Sequence, residues 1–209
     1  MPSLGIPNMQ QSLFDSQPTN LLPFQGESFL FPDFFSREEA DYFFRTLRDT
    51  LNWRQEPIWM FGKQVMQPRL TALYGDPEVS YGYSGIEMAP LAFTSALAKI
   101  HESLQKFTQK EFTHVLCNYY RDGNDSMGWH RDNEPVLGRN PSIASLTFGA
   151  TRSFQMRDYA TKKTKIEVAL SHGSLLLMEG ESQHHWEHQL PKTKKVQAPR
   201  LNLTFRKLG

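Results

Sequence analysis

Cysteine is almost absent from this chain. Cys117 alone cannot close an internal disulfide and has no neighbouring thiol with which to build a zinc site, so a reducing compartment is expected. Long apolar runs are missing as well: no stretch approaches the roughly eighteen residues of a membrane-spanning helix, and the N-terminus lacks the basic-then-apolar layout of an export signal. The expectation is an intracellular protein without a membrane partner, cytoplasmic in a prokaryote and nuclear or cytoplasmic in a eukaryote. Strong net charge is also lacking, but the formal +1 conceals an asymmetry. Residues 1–50 carry 3 basic and 7 acidic side chains, whereas residues 151–209 carry 11 basic and 5 acidic, a local excess that suits a polyanionic partner. Internal repeats are absent too, which excludes solenoids and propellers.

What is present is enough apolar material for a core. Hydrophobic residues make up 39% of the chain and aromatics 12%, which argues against wholesale disorder, and 209 residues suit one domain better than two. Residues 1–26 mix Pro, Gln, Ser and Asn without a period of 2 or 3.6 and read as a flexible arm; residues 27–209 read as a single domain. Ser36 followed by Glu39 forms a capping-box pattern that opens a helix running to about Leu51, with Phe43, Phe44 and Leu47 on its apolar side. A second helix is expected from Pro90, carrying the stripe Leu97, Ile100, Leu104 and Phe107. From Phe112 onward the texture changes to short β-rich runs: FTHVLCNYY, SIASLTFG, RSFQMRD, KIEVALS, SLLLME and PRLNLTFR. Closely spaced strands after two helices predict a mainly β chain with flanking helices, an α+β jelly roll.

Chemistry concentrates in three segments. In GWHRDNEP, His130 and Asp132 stand two apart, so extended backbone points both to one side, where an imidazole nitrogen and a carboxylate oxygen can converge on one ion. A third ligand from a distant strand would complete a two-histidine, one-carboxylate set, which leaves coordination positions open on Fe(II). ESQHHWEHQLP offers His184, His185 and His188, and spacing does not choose among them. In PRLNLTFR, strand alternation places Arg200, Asn202, Thr204 and Arg206 on one face and Leu201, Leu203 and Phe205 on the other. Two guanidinium groups on one face suit a dicarboxylate, although a strand whose polar side faces water would have the same pattern.

Taken together, NYY…GWHRDNEP, IASLTFGATRSF, HGSLLLMEG, WEHQLP and PRLNLTFR resemble the AlkB family of nucleic-acid demethylases over roughly residues 27–207. The resemblance implies a double-stranded β-helix, selects His188 as the distal metal ligand beside His130 and Asp132, and places Asn118, Tyr120, Arg200, Asn202 and Arg206 around 2-oxoglutarate. Within that set Arg200 is assigned to the distal carboxylate and Arg206 to the keto-acid end. It makes residues 54–85 a nucleotide-recognition lid, in which Tyr81 and Tyr83 would line the base pocket. Tyr83 and His130 would sandwich the flipped base, Arg69 would lie near the flanking backbone, and Phe61 would fill the gap left in a duplex. Asn133 stands where several DNA-repair members carry a second Asp; the amide keeps one acceptor but lacks the negative charge that would favour a cationic methylated base.

The activity so implied is oxidative demethylation of N-alkylated bases, of the 1-methyladenine and 3-methylcytosine type, in DNA or in RNA. Fe(II), 2-oxoglutarate and O2 are the expected cofactor and cosubstrates, with succinate, CO2 and formaldehyde released by what is expected to be a monomer. A 2-oxoglutarate oxygenase acting on proteins or small molecules would keep the iron site and dispense with the lid. A catalytically silent nucleic-acid-binding jelly roll would have no chemical reason to keep the HxD pair, the distal histidine and both arginines.

Overall fold

A computed structural model describes residues 18–60, 62–76, 81–83 and 86–208. In chain order the elements are β1 (Glu27–Phe31), α1 (Arg37–Thr50), β2 (Pro57–Met60), β3 (Lys63–Met66), β4 (Leu70–Gly75), β5 (Tyr81–Tyr83), β6 (Ile86–Met88) and α2 (Ser95–Thr108). There follow β7 (His114–Tyr120), β8 (Met127–His130), β9 (Ile143–Gly149), β10 (Arg152–Asp158), β11 (Lys165–Leu170), β12 (Ser174–Glu179), α3 (Ser182–His185), β13 (Trp186–Leu190) and β14 (Arg200–Arg206). They form a six-stranded sheet in the order β1-β12-β9-β14-β7-β4 and a four-stranded sheet in the order β11-β10-β13-β8. Neighbours within each sheet run antiparallel, and the non-sequential order is that of a jelly roll.

The six-stranded sheet is buried on both faces. One face packs Val115, Cys117, Leu146, Phe148, Leu201, Leu203 and Phe205 against Phe43 and Leu47 of α1 and Leu97, Ile100 and Leu104 of α2. A second apolar cluster joins its other face to the smaller sheet, with Leu116, Ile143, Leu176 and Met178 meeting Phe154, Met156, Val168 and Trp186. Strand β14 is therefore buried at every position, and its polar side faces the space between the sheets and not bulk water. Arginine is rarely this buried without a partner, so polar groups held there need a ligand or one another.

The N-terminal helix is capped as expected: Ser36 accepts from the Glu39 N–H, Glu39 accepts from the Ser36 N–H, and the helix stops at Leu51. The second helix begins later than the Pro90 signal suggests. Leu91 pairs with Tyr74 beside β4, and the helix opens only where the Thr94 hydroxyl accepts from the Leu97 N–H. The expected arm is also shorter at its C-terminal end. Asn20 Oδ1 accepts from Leu22 and Ser28, Leu22 is buried, and the Trp186 indole N–H donates to the carbonyls of Phe24 and Gln25 at 3.1 and 3.0 Å. Residues 54–85 hold two kinds of element. The hairpins β2–β3 and β5–β6 flank β4, which is an integral edge strand paired with β7.

Candidate active site

The two histidines are brought together by strand register. In the β8–β13 pair His130 lies directly opposite His188, and side chains opposite one another on antiparallel strands project to the same face. Their ring centroids are 4.2 Å apart. Asp132 follows two residues after His130, with its Oδ1 3.9 Å from His130 Nε2. Ligand atoms of His130, Asp132 and His188 all lie within 4.8 Å of one another, the one such cluster among the described residues.

The hydrogen bonds around this cluster leave lone pairs pointing inward. His130 Nδ1 donates to the Gly128 carbonyl at 2.9 Å, so the proton sits on Nδ1 and Nε2 is free to coordinate. Asp132 Oδ2 accepts from Arg206 at 2.7 and 3.2 Å, while Oδ1 is buried with no hydrogen-bond partner. Burial pushes the pKa of His130 down and that of His188 down to about 3, so both rings are neutral near pH 7. Burial alone would raise Asp132, but the Arg206 cation, joined in acid by His188 and His130 once they are protonated, outweighs it and holds the carboxyl at about 2. Two neutral imidazoles and a carboxylate with an orphaned oxygen fit a divalent metal, and this donor set is the one used by non-haem Fe(II).

Beside these groups the cavity between the sheets continues past Asn118, Tyr120, Ser145, Arg200, Asn202 and Arg206. Arg200 is 2% exposed, lies over the Tyr120 ring and donates to Thr147 Oγ1 at 2.8 Å, yet its Nε has no partner. Burial, with Arg152 nearby, lowers its pKa to about 10, so the guanidinium remains cationic at neutral pH. A buried cation with an idle donor fits a carboxylate entering the cavity. Arg206 differs, because it is already paired with Asp132 and so belongs to the metal end. Asn202 lines the same wall, but its amide donates to Ser145 Oγ and the Leu146 carbonyl and accepts from Thr204. It shapes the cavity more than it offers donors to it.

His184 and His185 point elsewhere. They sit in α3 and not in a loop; His184 contacts the Arg139 carbonyl and Asn140, and His185 lies 3.8 Å from Glu181. Arg69 is 3% exposed and donates from Nε to Asn118 Oδ1 at 2.8 Å, an inward position that departs from the expected one beside a nucleic-acid backbone. Asn133 is exposed next to Asp132. Tyr81 and Tyr83 lie on β5 opposite Met88 and Ile86, and Phe61 lies outside the described residues.

One residue escaped the sequence reading. Strand β8 ends at His130, so the ladder no longer serves the Asp132 N–H; Gln183 Oε1 accepts it at 3.0 Å from a side chain that is 1% exposed. Arg131 adds a parallel tie, donating to the His184 carbonyl at 3.1 Å while stacking on Tyr159. Both bonds latch the Asp132 segment to the turn that precedes His188. Only the polar side chain of Gln183 beside the distal motif could have signalled this.

The family model described as "2OG-Fe(II) oxygenase superfamily" matches residues 28–206. The mouse alpha-ketoglutarate-dependent dioxygenase alkB homolog 3 is 42% identical over 187 residues, covering 85% of this chain and 64% of the relative. The chain thus spans just under two thirds of that relative's length. The mouse DNA oxidative demethylase ALKBH2 is 38% identical over 184 residues, covering 83% of this chain and 77% of the relative. A solved structure titled "The structure of OsALKBH1" superposes with a TM-score of 0.63 at 18% identity, covering 86% of this chain and 97% of that one, a likeness of fold.

Proposed function

Because the chain belongs to the 2OG-Fe(II) oxygenase superfamily, and within it to the AlkB family, we propose that it oxidatively removes methyl groups from N-alkylated nucleic-acid bases and so serves alkylation repair. The observation that carries this reading is the convergence in one cavity of three inward-facing metal ligands and a buried arginine without a counter-anion. His130, Asp132 and His188 would hold the iron. Arg200, Asn118 and Tyr120 would bind the distal carboxylate of 2-oxoglutarate, with Arg206 at the keto-acid end beside Asp132. When bound, iron with 2-oxoglutarate and O2 supplies the oxidising equivalents that hydroxylate an N-methyl group, giving succinate, CO2 and, after loss of the hydroxymethyl group as formaldehyde, the unmethylated base.

The protein's own part is geometric and electrostatic. The His130 Nδ1–H bond to Gly128 keeps Nε2 unprotonated, Arg206 keeps Asp132 ionised, and Gln183 and Arg131 hold the ligand segment in place. A base must leave its stack to reach the cavity, and the hairpins β2–β3 and β5–β6, with Tyr81 and Tyr83, are the elements assigned to receive it. Phe61 is assigned to the vacated stack, and Asn133, exposed beside the metal carboxylate, to the lesion edge. The name of the ALKBH2 relative, a DNA oxidative demethylase, favours DNA as the polymer, with nuclear or cytoplasmic residence and a monomeric enzyme as the companion expectations. The test is to incubate the protein with Fe(II), 2-oxoglutarate and methylated single-stranded DNA, duplex DNA and RNA in parallel, and to quantify restored bases by mass spectrometry. Restoration on none of the three, alongside turnover of 2-oxoglutarate, would move the substrate to a protein or small molecule.

A further inference from the structure

Arg69 lies within the segment assigned to nucleotide recognition, yet it is buried to 97% of its surface and turned toward the cosubstrate wall of the cavity. It immediately precedes β4, whose Thr71 pairs with Asn118 of β7, and this pairing carries the Arg69 side chain across to the Asn118 amide. A guanidinium can only donate, so the amide oxygen of Asn118 must face Arg69, as observed at 2.8 Å. Asn118 itself lines the cavity, and with its oxygen engaged by Arg69 its amide nitrogen is the group left to donate there. Without Arg69 the amide could flip, and an oxygen would then meet an incoming carboxylate. The Arg69 charge also stands behind that donor. On the other side, Gln67 and Gln55, two and fourteen residues before Arg69, join the base of the β2–β3 hairpin to the same corner through the Gln55–Gln67 and Gln67–Glu56 bonds.

We propose that Arg69 is a positioning residue for 2-oxoglutarate, orienting Asn118 so that its amide nitrogen donates to the distal carboxylate, and that it makes no contact with the nucleic-acid backbone. The inference rests on the cosubstrate assignment made above. It also places a residue of the recognition segment in the control of cosubstrate affinity.

A double-mutant cycle tests it by calorimetric titration of 2-oxoglutarate into anaerobic, Mn(II)-loaded protein, with anisotropy of a methylated oligonucleotide measured alongside. Arg69→Met should weaken 2-oxoglutarate about ten-fold, the scale of one hydrogen bond to a charged group, and leave oligonucleotide affinity unchanged. Asn118→Ala should weaken it similarly, and Arg69→Met/Asn118→Ala should lose no more than Asn118→Ala alone, because Arg69 acts through that amide. Arg69→Lys, which keeps a donor, should recover part of the affinity and carries the cycle if the Met variant does not fold. Additive losses would overturn the proposal, as would lost oligonucleotide binding with cosubstrate affinity intact. Arg200→Met separates the two levels of the claim. If it leaves 2-oxoglutarate affinity unchanged, the cosubstrate assignment fails; if it abolishes binding while both Arg69 variants bind normally, only the role of Arg69 fails.

Discussion

Removing Arg206 should expose how the metal-free site is held together. Its guanidinium and the Asp132 carboxylate are 5% and 1% exposed and 2.7 Å apart, so Arg206→Met leaves a carboxylate buried with no cation beside it. Breaking one half of a buried ion pair costs about 3–5 kcal/mol. In a chain of this size each kcal/mol shifts the melting point by about 2–4 °C, so the EDTA-treated variant should melt roughly 6–20 °C below the parent protein. A divalent metal ligated by Asp132 Oδ1 restores the missing positive charge. Co(II) or Mn(II) should therefore raise the melting point of the variant by more than that of the parent, a difference that linkage between two charges on one carboxylate requires. The assay is thermal unfolding followed by circular dichroism, with and without metal, for the parent, Arg206→Met and Arg206→Lys. Equal melting of the metal-free proteins would refute the view that Asp132 depends on Arg206. An equal metal-induced rise in parent and variant would refute its view as a shared partner of arginine and metal.

Three further outcomes are expected. Arg200→Met should weaken 2-oxoglutarate by about thirty-fold or more, since a charge-assisted pair lost in a buried site costs at least about 2 kcal/mol, with Arg200→Lys intermediate; calorimetry reads both. Gly26→Ala should lower stability by roughly 1–3 kcal/mol in urea titrations, because Gly26 has φ +123° and an added Cβ would lie 2.6 Å from the Ser182 Cα; unaltered stability would mean the N-terminal strap is not docked there. Metal-free protein should lose stability on acidification. His188, held at about 3 in the folded protein against an ordinary 6.5, contributes stability that is fully present above pH 6.5 and is lost as pH falls toward 3, because the unfolded chain takes up the proton first. Asp132, at about 2 against 3.8, extends the loss below pH 3.8, and urea titrations across pH 7 to 4 that gave constant stability would contradict the burial of His188 as a neutral ring.

The parts legible in the sequence were those governed by local geometry. A period of two is a property of one strand, so Arg200, Asn202, Thr204 and Arg206 could be placed on one face, and His130 with Asp132 on one side of an extended segment, before any partner strand was known. The Ser36–Glu39 capping box is local in the same way. Resemblance to the AlkB family, carried by five ordered motifs, singled out His188. Physical spacing could not, because the choice among His184, His185 and His188 depends on the register of β13 against β8 and on the irregularity between His188 and Leu190. Tertiary structure alone decided that the polar face of β14 is enclosed between two sheets, that residues 20–26 dock on Trp186, that Gln183 serves Asp132, and that Arg69 turns inward to Asn118. Each of these pairs residues tens of positions apart, and the contact exists only because non-sequential strands are neighbours in the jelly roll, an ordering that composition and periodicity do not encode.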